Sequence, residues 1–341
     1  MKILGIETSC DETAAAVIEN GTKILSNVVA SSAEMHAETG GIIPERAARQ
    51  QIKSITPVIE SALKKAKIKN DEIDAIAVTT GPGLIGSLLV GIETAKTFSF
   101  LWQKPIVPVN HLAAHIYANW LFNENSPKFP TLALVVSGGH TDIVLMKNHG
   151  KLTWIGGTRD DAAGEAFDKT ARLLGLPYPG GPAISVEAEK YIRKNPKTKL
   201  IFFPRPIINE ENYDWSFSGL KTAVLREVKD KKLNKEEKQK IAAEVQEAIV
   251  DVLVRKTLRA VQEYKPKSLL LAGGVAANIR LKEKFKSAIN LQSLNINFFV
   301  PPPKLCIDNA AYIASFAHFN YSPIPWQEIN ANSQLTITGQ I

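Results

Sequence analysis

Ile3-Leu4-Gly5-Ile6-Glu7-Thr8-Ser9-Cys10-Asp11-Glu12-Thr13-Ala14-Ala15-Ala16-Val17-Ile18-Glu19 opens the chain and decides its fold. Two apolar runs, 3–8 and 14–19, are split by Ser9-Cys10-Asp11-Glu12-Thr13, a polar turn between two strands. A third strand is expected at 23–30. Pro44 then opens a helix whose positions Ala48, Ile52, Ile55, Ile59 and Leu63 keep helical spacing. A strand at 73–79, the turn Gly81-Pro82-Gly83, a helix at 85–102 and a short strand at 106–109 complete the pattern.

The second half replays this order. Strands at 131–136 and 142–147 flank Ser137-Gly138-Gly139-His140-Thr141, and a third follows at 151–156. A helix at 162–174 leads into a helical insertion reaching about residue 264. The order then resumes with a strand at 268–272, the turn Gly273-Gly274, a helix, a strand at 295–300 and a final helix near Asp308. Such a duplication implies two similar α/β lobes around a cleft, with ligands where strand ends and helix N-termini converge. The expected divisions are a first lobe at 1–109, a metal-bearing helix and connection at 110–130, and a second lobe at 131–307 with its insertion at about 176–264. A final helix at 308–320 and a polar, loosely held tail at 321–341 end the chain.

Composition narrows the class. The 341 residues are 45% hydrophobic and 22% charged, as in ordinary globular proteins. The net charge of +7 suits a polyanionic partner, and Lys190, Arg193, Lys194, Lys197 and Lys199 form a candidate phosphate-tracking cluster in the insertion. The alternative is a solvated helix end. No apolar run is long enough to span a bilayer, so no membrane partner is expected. Strand-like sequence from Ile3 leaves no room for a signal peptide. With only Cys10 and Cys306, a disulfide framework is excluded, and a cytoplasmic location follows.

His111 and His115 stand four apart, so on a helix both imidazoles face one divalent cation. Asn110 is a plausible N-cap for that helix. A zinc protease would carry a glutamate after the first histidine, where this chain has Leu112. Ser137-Gly138-Gly139 and Gly273-Gly274 offer backbone amides to an anion, and Gly81-Pro82-Gly83 is a weaker candidate for the same task. Gly81 to Gly86 has P-loop spacing, but Ser87 replaces the lysine. Acids gather at the same turns: Glu7, Asp11 and Glu12 in the first half, Asp160, Asp161, Glu165 and Asp168 in the second. Asp161 fits an N-cap with Glu165 in the first turn; Asp168 is too far into the helix for that.

The stretches Glu7–Thr13, Asn110–His115, Val136–Thr141, Asp160–Lys169, Tyr178–Pro182, Phe217–Thr222, Gly273–Asn278 and Asp308–Ala311, in that order, resemble the universal tRNA threonylcarbamoyladenosine transferase family in its bacterial form, TsaD. The resemblance implies the actin, sugar-kinase and Hsp70-type fold of two RNase H-like lobes. It implies one divalent metal, iron(II) ahead of zinc, on His111, His115 and Asp308. It carries substrate contacts to Val135, Val136, Ser137, Gly138, Gly139, Asp168, Gly181 and Asn278. Ser185 stands where the family usually has aspartate, which puts that one contact in doubt. The implied reaction moves threonylcarbamoyl from threonylcarbamoyl-AMP to the exocyclic amine of adenosine 37, in tRNAs reading codons that begin with adenine, and releases AMP. The implied partners are tRNA, an inactive paralogue (TsaB) as heterodimer and a small ATPase (TsaE).

A mixed anhydride needs no enzyme nucleophile, but the attacking aromatic amine must lose a proton. Asp11 or Glu12 is the candidate base. The competing readings are a metallopeptidase, a kinase or ATPase of the same fold, and a non-enzymatic scaffold; the last would be expected to lack the His/His/Asp set.

Overall fold

In a computed structural model, which describes residues 1–32, 35, 41–122 and 125–339, the opening runs form strands β1 (Lys2–Glu7) and β2 (Glu12–Glu19). They pair antiparallel with Glu7 opposite Ala14, leaving the acidic stretch as the turn. β3 (Lys23–Ser31) continues the hairpin. Helix α1 (Pro44–Ala66) starts on its proline and ends on Lys67 in the left-handed region. β4 (Ala75–Gly81), α2 (Ile85–Trp102), β5 (Ile106–Asn110) and the short helix α3 (His111–Tyr117) follow. The sheet order is β3-β2-β1-β4-β5, with β4 parallel to both β1 and β5. Parallel strands are buried on both faces, which is why Leu4, Ile6, Ile76 and Val78 read as unbroken apolar runs. Ile55 and Ile59 of α1 and Leu88 and Ile92 of α2 pack on them.

The second set comprises β6 (Thr131–Val136), β7 (Thr141–Asn148), β8 (Lys151–Gly157), α4 (Ala163–Leu173), α5 (Gly180–Lys194), α6 (Ser218–Val228), α7 (Lys235–Tyr264), β9 (Ser268–Ala272), α8 (Ile279–Leu291) and β10 (Asn297–Phe299). Its order, β10-β9-β6-β7-β8, repeats the first sheet strand for strand. The helices α5 to α7 are the insertion, with Ala188, Tyr191 and Ala243 packed between α5 and α7. The insertion also returns to the sheet edge: Trp215 N–H donates to Gly157 O and Arg159 N–H to Trp215 O.

The chain divides into two units, 1–127 with 146–152 and 301–341, and 128–145 with 153–300. Residues 146–152 and 301–307 therefore belong with the first unit, although the sequence assigns them to the second. In the first unit the final helix α9 (Ala310–Phe319) lies on β1. Gly5 makes this possible, because a Cβ there would meet Ala310 O at 2.4 Å and Ala314 N at 3.0 Å. The tail is not loosely held: Ile329, Leu335 and Ile337 are buried, and Asn332 N–H donates to Thr80 O. Residues 340–341 of the expected tail and 123–124 of the connection after α3 lie outside the described residues.

Gly5→Ala should cost about 1–3 kcal/mol of first-unit stability, because the added methyl pushes α9 off β1. It should also lower metal retention, since Asp308 precedes α9. Thermal unfolding and elemental analysis check both; a variant with unchanged melting and metal content would show that α9 does not need that contact.

Candidate metal centre and glycine-rich site

Asn110 caps α3 as its sequence suggests, its Oδ1 accepting from Leu112 N–H at 3.1 Å and Ala113 N–H at 3.2 Å. That cap starts the helix on His111 and sets His115 one turn on. His111, His115 and Asp308 bring their ligand atoms within 4.8 Å of one another. Asp308 Oδ1 lies 3.3 Å from Nε2 of His115 and 3.7 Å from Nε2 of His111. His115 has 0% exposure, and neither ring nitrogen makes a hydrogen bond of acceptable geometry. A buried imidazole left so suits a ligand, and two nitrogens with one carboxylate oxygen suit a borderline divalent ion.

Glu7, at the end of β1, completes the arrangement. It is fully buried; its Oε2 lies 2.9 Å from His111 Nδ1 and accepts from Thr79 Oγ1 at 2.7 Å, and its Oε1 accepts from Ser9 N–H. A carboxylate on Nδ1 fixes the tautomer that leaves Nε2 unprotonated, its lone pair available to a cation. Burial pulls the His111 pKa down, but the charges of Glu7 and Asp308 outweigh it and raise it to about 9. Burial and the neighbouring His111 lower His115. Burial also works against the Asp308 charge, yet the two histidines hold it well below the usual carboxylate range. Nothing in the sequence pairs Glu7 with His111, since β1 and α3 meet only through the sheet. Tyr312, one turn into α9, donates its hydroxyl to Asp308 Oδ1 at 3.4 Å and is equally invisible to spacing.

Asp11 and Glu12 sit in the β1–β2 turn of the same unit. Glu12 accepts from Ser31 Oγ at 2.8 Å, while its Oε2 is buried without a hydrogen-bond partner. Burial, helped by the charges of Asp11 and Asp308 and opposed by the Ser31 hydrogen bond, raises its pKa to about 7. The Gly81–Gly83 turn is explained by packing: a Cβ on Gly83 would meet Ser9 O at 2.3 Å. Cys10 is half-buried and Cys306 buried, its thiol donating to Pro301 O.

In the second unit, Val135 and Val136 are buried at the end of β6, so their side chains serve the core. The Ser137–Gly139 turn beyond them docks on α4, where Gly164 N–H donates to Ser137 O at 3.1 Å. Asp161 is not the cap of α4. Ala162 holds that position, with Glu165 reaching back to its N–H. Asp161 instead pairs with Lys169 at 2.7 Å and Lys221 at 3.2 Å. Asp160 accepts from Phe217 N–H and from the hydroxyls of Ser216 and Ser218, which ties the Phe217–Thr222 stretch to the start of α4. Asp168 accepts from Gly180 N–H at 2.7 Å; burial raises its pKa against that bond. Ser185 donates to Gly181 O, and Asn278 joins it by donating to Ser185 Oγ and Gln246 Oε1 at 3.0 Å each. Asn278 Oδ1 caps α8 at Leu281 N–H, so both N–H groups of this amide and one lone pair of its oxygen are engaged within the unit.

The glycines of this unit divide into two kinds. Cβ atoms on Gly164, Gly180 and Gly273 would collide with backbone at 2.4 to 2.5 Å. A Cβ on Gly138, Gly139, Gly181 or Gly274 would meet nothing within 4 Å. Packing explains the first set and not the second, and bare backbone facing space is what an approaching anion needs.

Comparison with known proteins identifies the family. The family model described as "TsaD: tRNA N6-adenosine threonylcarbamoyltransferase" matches residues 23–315. Proteins named tRNA N6-adenosine threonylcarbamoyltransferase from Geobacillus thermodenitrificans and Bacillus cereus are 49% and 52% identical, over 98% and 94% of this chain and 96% and 91% of theirs. Among solved structures, HypF of T. kodakarensis is similar over 94% of this chain and 47% of its own, with TM-score 0.63 and 14% identity. Component A of the (R)-2-hydroxyglutaryl-CoA dehydratase of Acidaminococcus fermentans covers 93% and 98%, with TM-score 0.55 and 13% identity. These two share the two-lobed α/β fold. The chain belongs to the tRNA N6-adenosine threonylcarbamoyltransferase family, and the reaction that name describes is its function.

Gly138→Ala and Gly139→Ala should leave thermal stability unchanged and weaken binding of an adenylate, whereas Gly164→Ala should lower stability by displacing the hairpin. Melting curves beside calorimetric titration separate the two; equal destabilisation by all three would mean that the open glycines are structural. Glu7→Gln should lower metal affinity about 10–100-fold, as lost outer partners of ligating histidines do. Chelator competition reads this directly, and wild-type affinity in the variant would remove Glu7 from the centre.

Proposed function

We propose that the chain transfers threonylcarbamoyl from threonylcarbamoyl-AMP to the exocyclic amine of adenosine 37, in tRNAs reading codons that begin with adenine, with release of AMP. The observation that carries this reading is the Ser137–Gly139 turn, where a Cβ on Gly138 or Gly139 would meet nothing within 4 Å, and Gly181, whose backbone engages Asp168 and Ser185, is equally free of any neighbour that a Cβ would meet. His111, His115 and Asp308 would hold one divalent ion, iron(II) ahead of zinc. When bound, that ion supplies Lewis-acid polarisation of substrate oxygens. The amides of Ser137 to Gly139 would meet negative charge developing on the donor. Glu12 is favoured over Asp11 as the base, because burial raises its pKa to about 7, where a carboxylate is about half ionised at neutrality and basic enough to take a proton. Asn278, with both N–H groups engaged, would act by holding α5 and α8 together through Ser185 and the α8 cap.

A peptidase reading loses support at Leu112, a buried apolar residue where that chemistry needs a carboxylate. The net positive charge of the chain lies in the second unit, which has 27 Lys+Arg against 19 Asp+Glu where the first has 14 against 15, and this favours the second unit for tRNA. Lys190 and Arg193 of the expected cluster are paired with Glu187 and Glu189 of their own helix, so that stretch presents less charge than its sequence suggests. No described helix is long and apolar enough to cross a membrane. The inactive paralogue, the small ATPase and a cytoplasmic location belong to the same proposal, through the family resemblance.

The test is transfer to tRNA from threonylcarbamoyl-AMP in the presence of the partners, followed over pH by mass spectrometry of digested tRNA. A base must be ionised, so the rate should fall about tenfold per unit as pH drops below about 7. Glu12→Gln should abolish that limb and cost about 10²–10⁴-fold. A rate flat across neutrality moves the base elsewhere, and peptide cleavage lost on His115→Ala would sink the transferase reading itself.

A further inference from the structure

The apolar spacing of α1 predicts Ile52 in its buried stripe. The helix is turned otherwise: Ile52 is 65% exposed, and the buried face runs through Ala47, Gln51, Ile55, Val58, Ile59 and Ala62. Gln51, a polar residue with 1% exposure, thus sits in the middle of a hydrophobic face. Its Oε1 is buried without a hydrogen-bond partner, so the amide is costly there unless its other end compensates.

The compensation lies in the β1–β2 turn. Gln51 Nε2 donates to Thr8 O at 3.5 Å, Cys10 O at 3.1 Å and Glu12 O at 3.0 Å. Ser9 O accepts from Leu84 N–H at 2.7 Å, and Asp11 O from Ser32 Oγ at 2.5 Å. Every carbonyl from residue 8 to residue 12 is therefore held, three of the five by one side chain. Two N–H groups shared among three acceptors form a clamp rather than a single bond. Turns bearing functional groups are ordinarily the mobile part of a fold, and this one is fixed at each peptide.

We propose that Gln51 is a positioning residue for the transfer reaction, a clamp on α1 that fixes the backbone under Asp11 and Glu12 and so places the carboxylate that takes the proton from the attacking amine. It touches neither substrate nor metal ligands and acts through the turn. The inference rests on the proposal that this turn supplies the base.

Two variants test it in the full chain with its partners. Gln51→Met keeps the length of the side chain, removes both donors and also removes the buried unpaired oxygen. Gln51→His restores one ring N–H at similar reach. With Gln51→Met, kcat for transfer to tRNA should fall about 10–100-fold, the loss expected when a catalytic group is misplaced by roughly 1 Å. KM for threonylcarbamoyl-AMP should stay within about twofold, and metal content should match wild type, because the ligands lie on α3 and just before α9. Gln51→His should recover most of the lost kcat. Wild-type kcat in Gln51→Met would overturn the proposal. So would a loss that follows the melting temperature or metal content equally in both variants, since a purely structural residue behaves that way. Failure of the wild-type chain to transfer would instead count against the function proposed above, and the two failures are thereby distinguished.

Discussion

The close approach of helix α9 to strand β1 in the first unit is the contact on which the placing of Asp308 depends. Gly5 offers no side chain, and Ala310 and Ala314 offer little, so helix and strand backbones lie closer than ordinary packing allows. The consequence appears at the start of the helix. Asp308 is carried to the end of β1, where Glu7 and, through the sheet, α3 with its two histidines already are. A bulky residue at position 5 would alter no ligand and still pull the centre apart. Glycine here has its purpose in what it lets come near.

That approach also gathers charge where water is scarce. A buried carboxylate, Glu7, and a half-buried one, Asp308, face two imidazoles, and no lysine or arginine pairs with either among the described ion pairs. Leaving such charges uncompensated is expensive, and the His111 pKa of about 9 records the pull of that pocket on positive charge. Protonated imidazole is one way to meet the demand; a divalent cation would balance both carboxylates and use one His115 nitrogen, neither of which a hydrogen bond occupies.

Much of this was legible in the sequence, and what was not has a common cause. The spans of α2 and β6, the Asn110 cap and the doubled strand order follow from local pattern, and the structure reproduces them. The facing of α1 does not, because the four-residue steps of its apolar positions allow two adjacent stripes and the turn beneath it chooses the one containing Gln51. Asp161 looks like a cap because caps are local; lysines on two different helices claim it. The tail reads as polar and loose, yet Ile329, Leu335 and Ile337 find cover that only the folded sheet provides. The metal triad itself needed the family resemblance, since spacing nominates two histidines and cannot reach an aspartate at the far end of the chain. In each case a partner distant in sequence overrides a local preference.

The duplication makes the division of labour visible. The β1–β2 and β6–β7 turns occupy the same place in two copies of one sheet order. In the first, Gln51, Ser32 and the Leu84 N–H hold the carbonyls and the turn carries acids, as the proposed proton transfer needs. In the second, Gly164 holds the turn through Ser137 O, and a Cβ on Gly138 or Gly139 would meet open space, as the proposed anion contact needs. Acids crowded onto the second turn would repel a phosphate, and glycines in the first could not titrate. One element has therefore been specialised in opposite electrostatic directions, and each direction needs its own anchor. Gln51 and Gly164 are those anchors, one by the hydrogen bonds it makes and the other by the atoms it lacks.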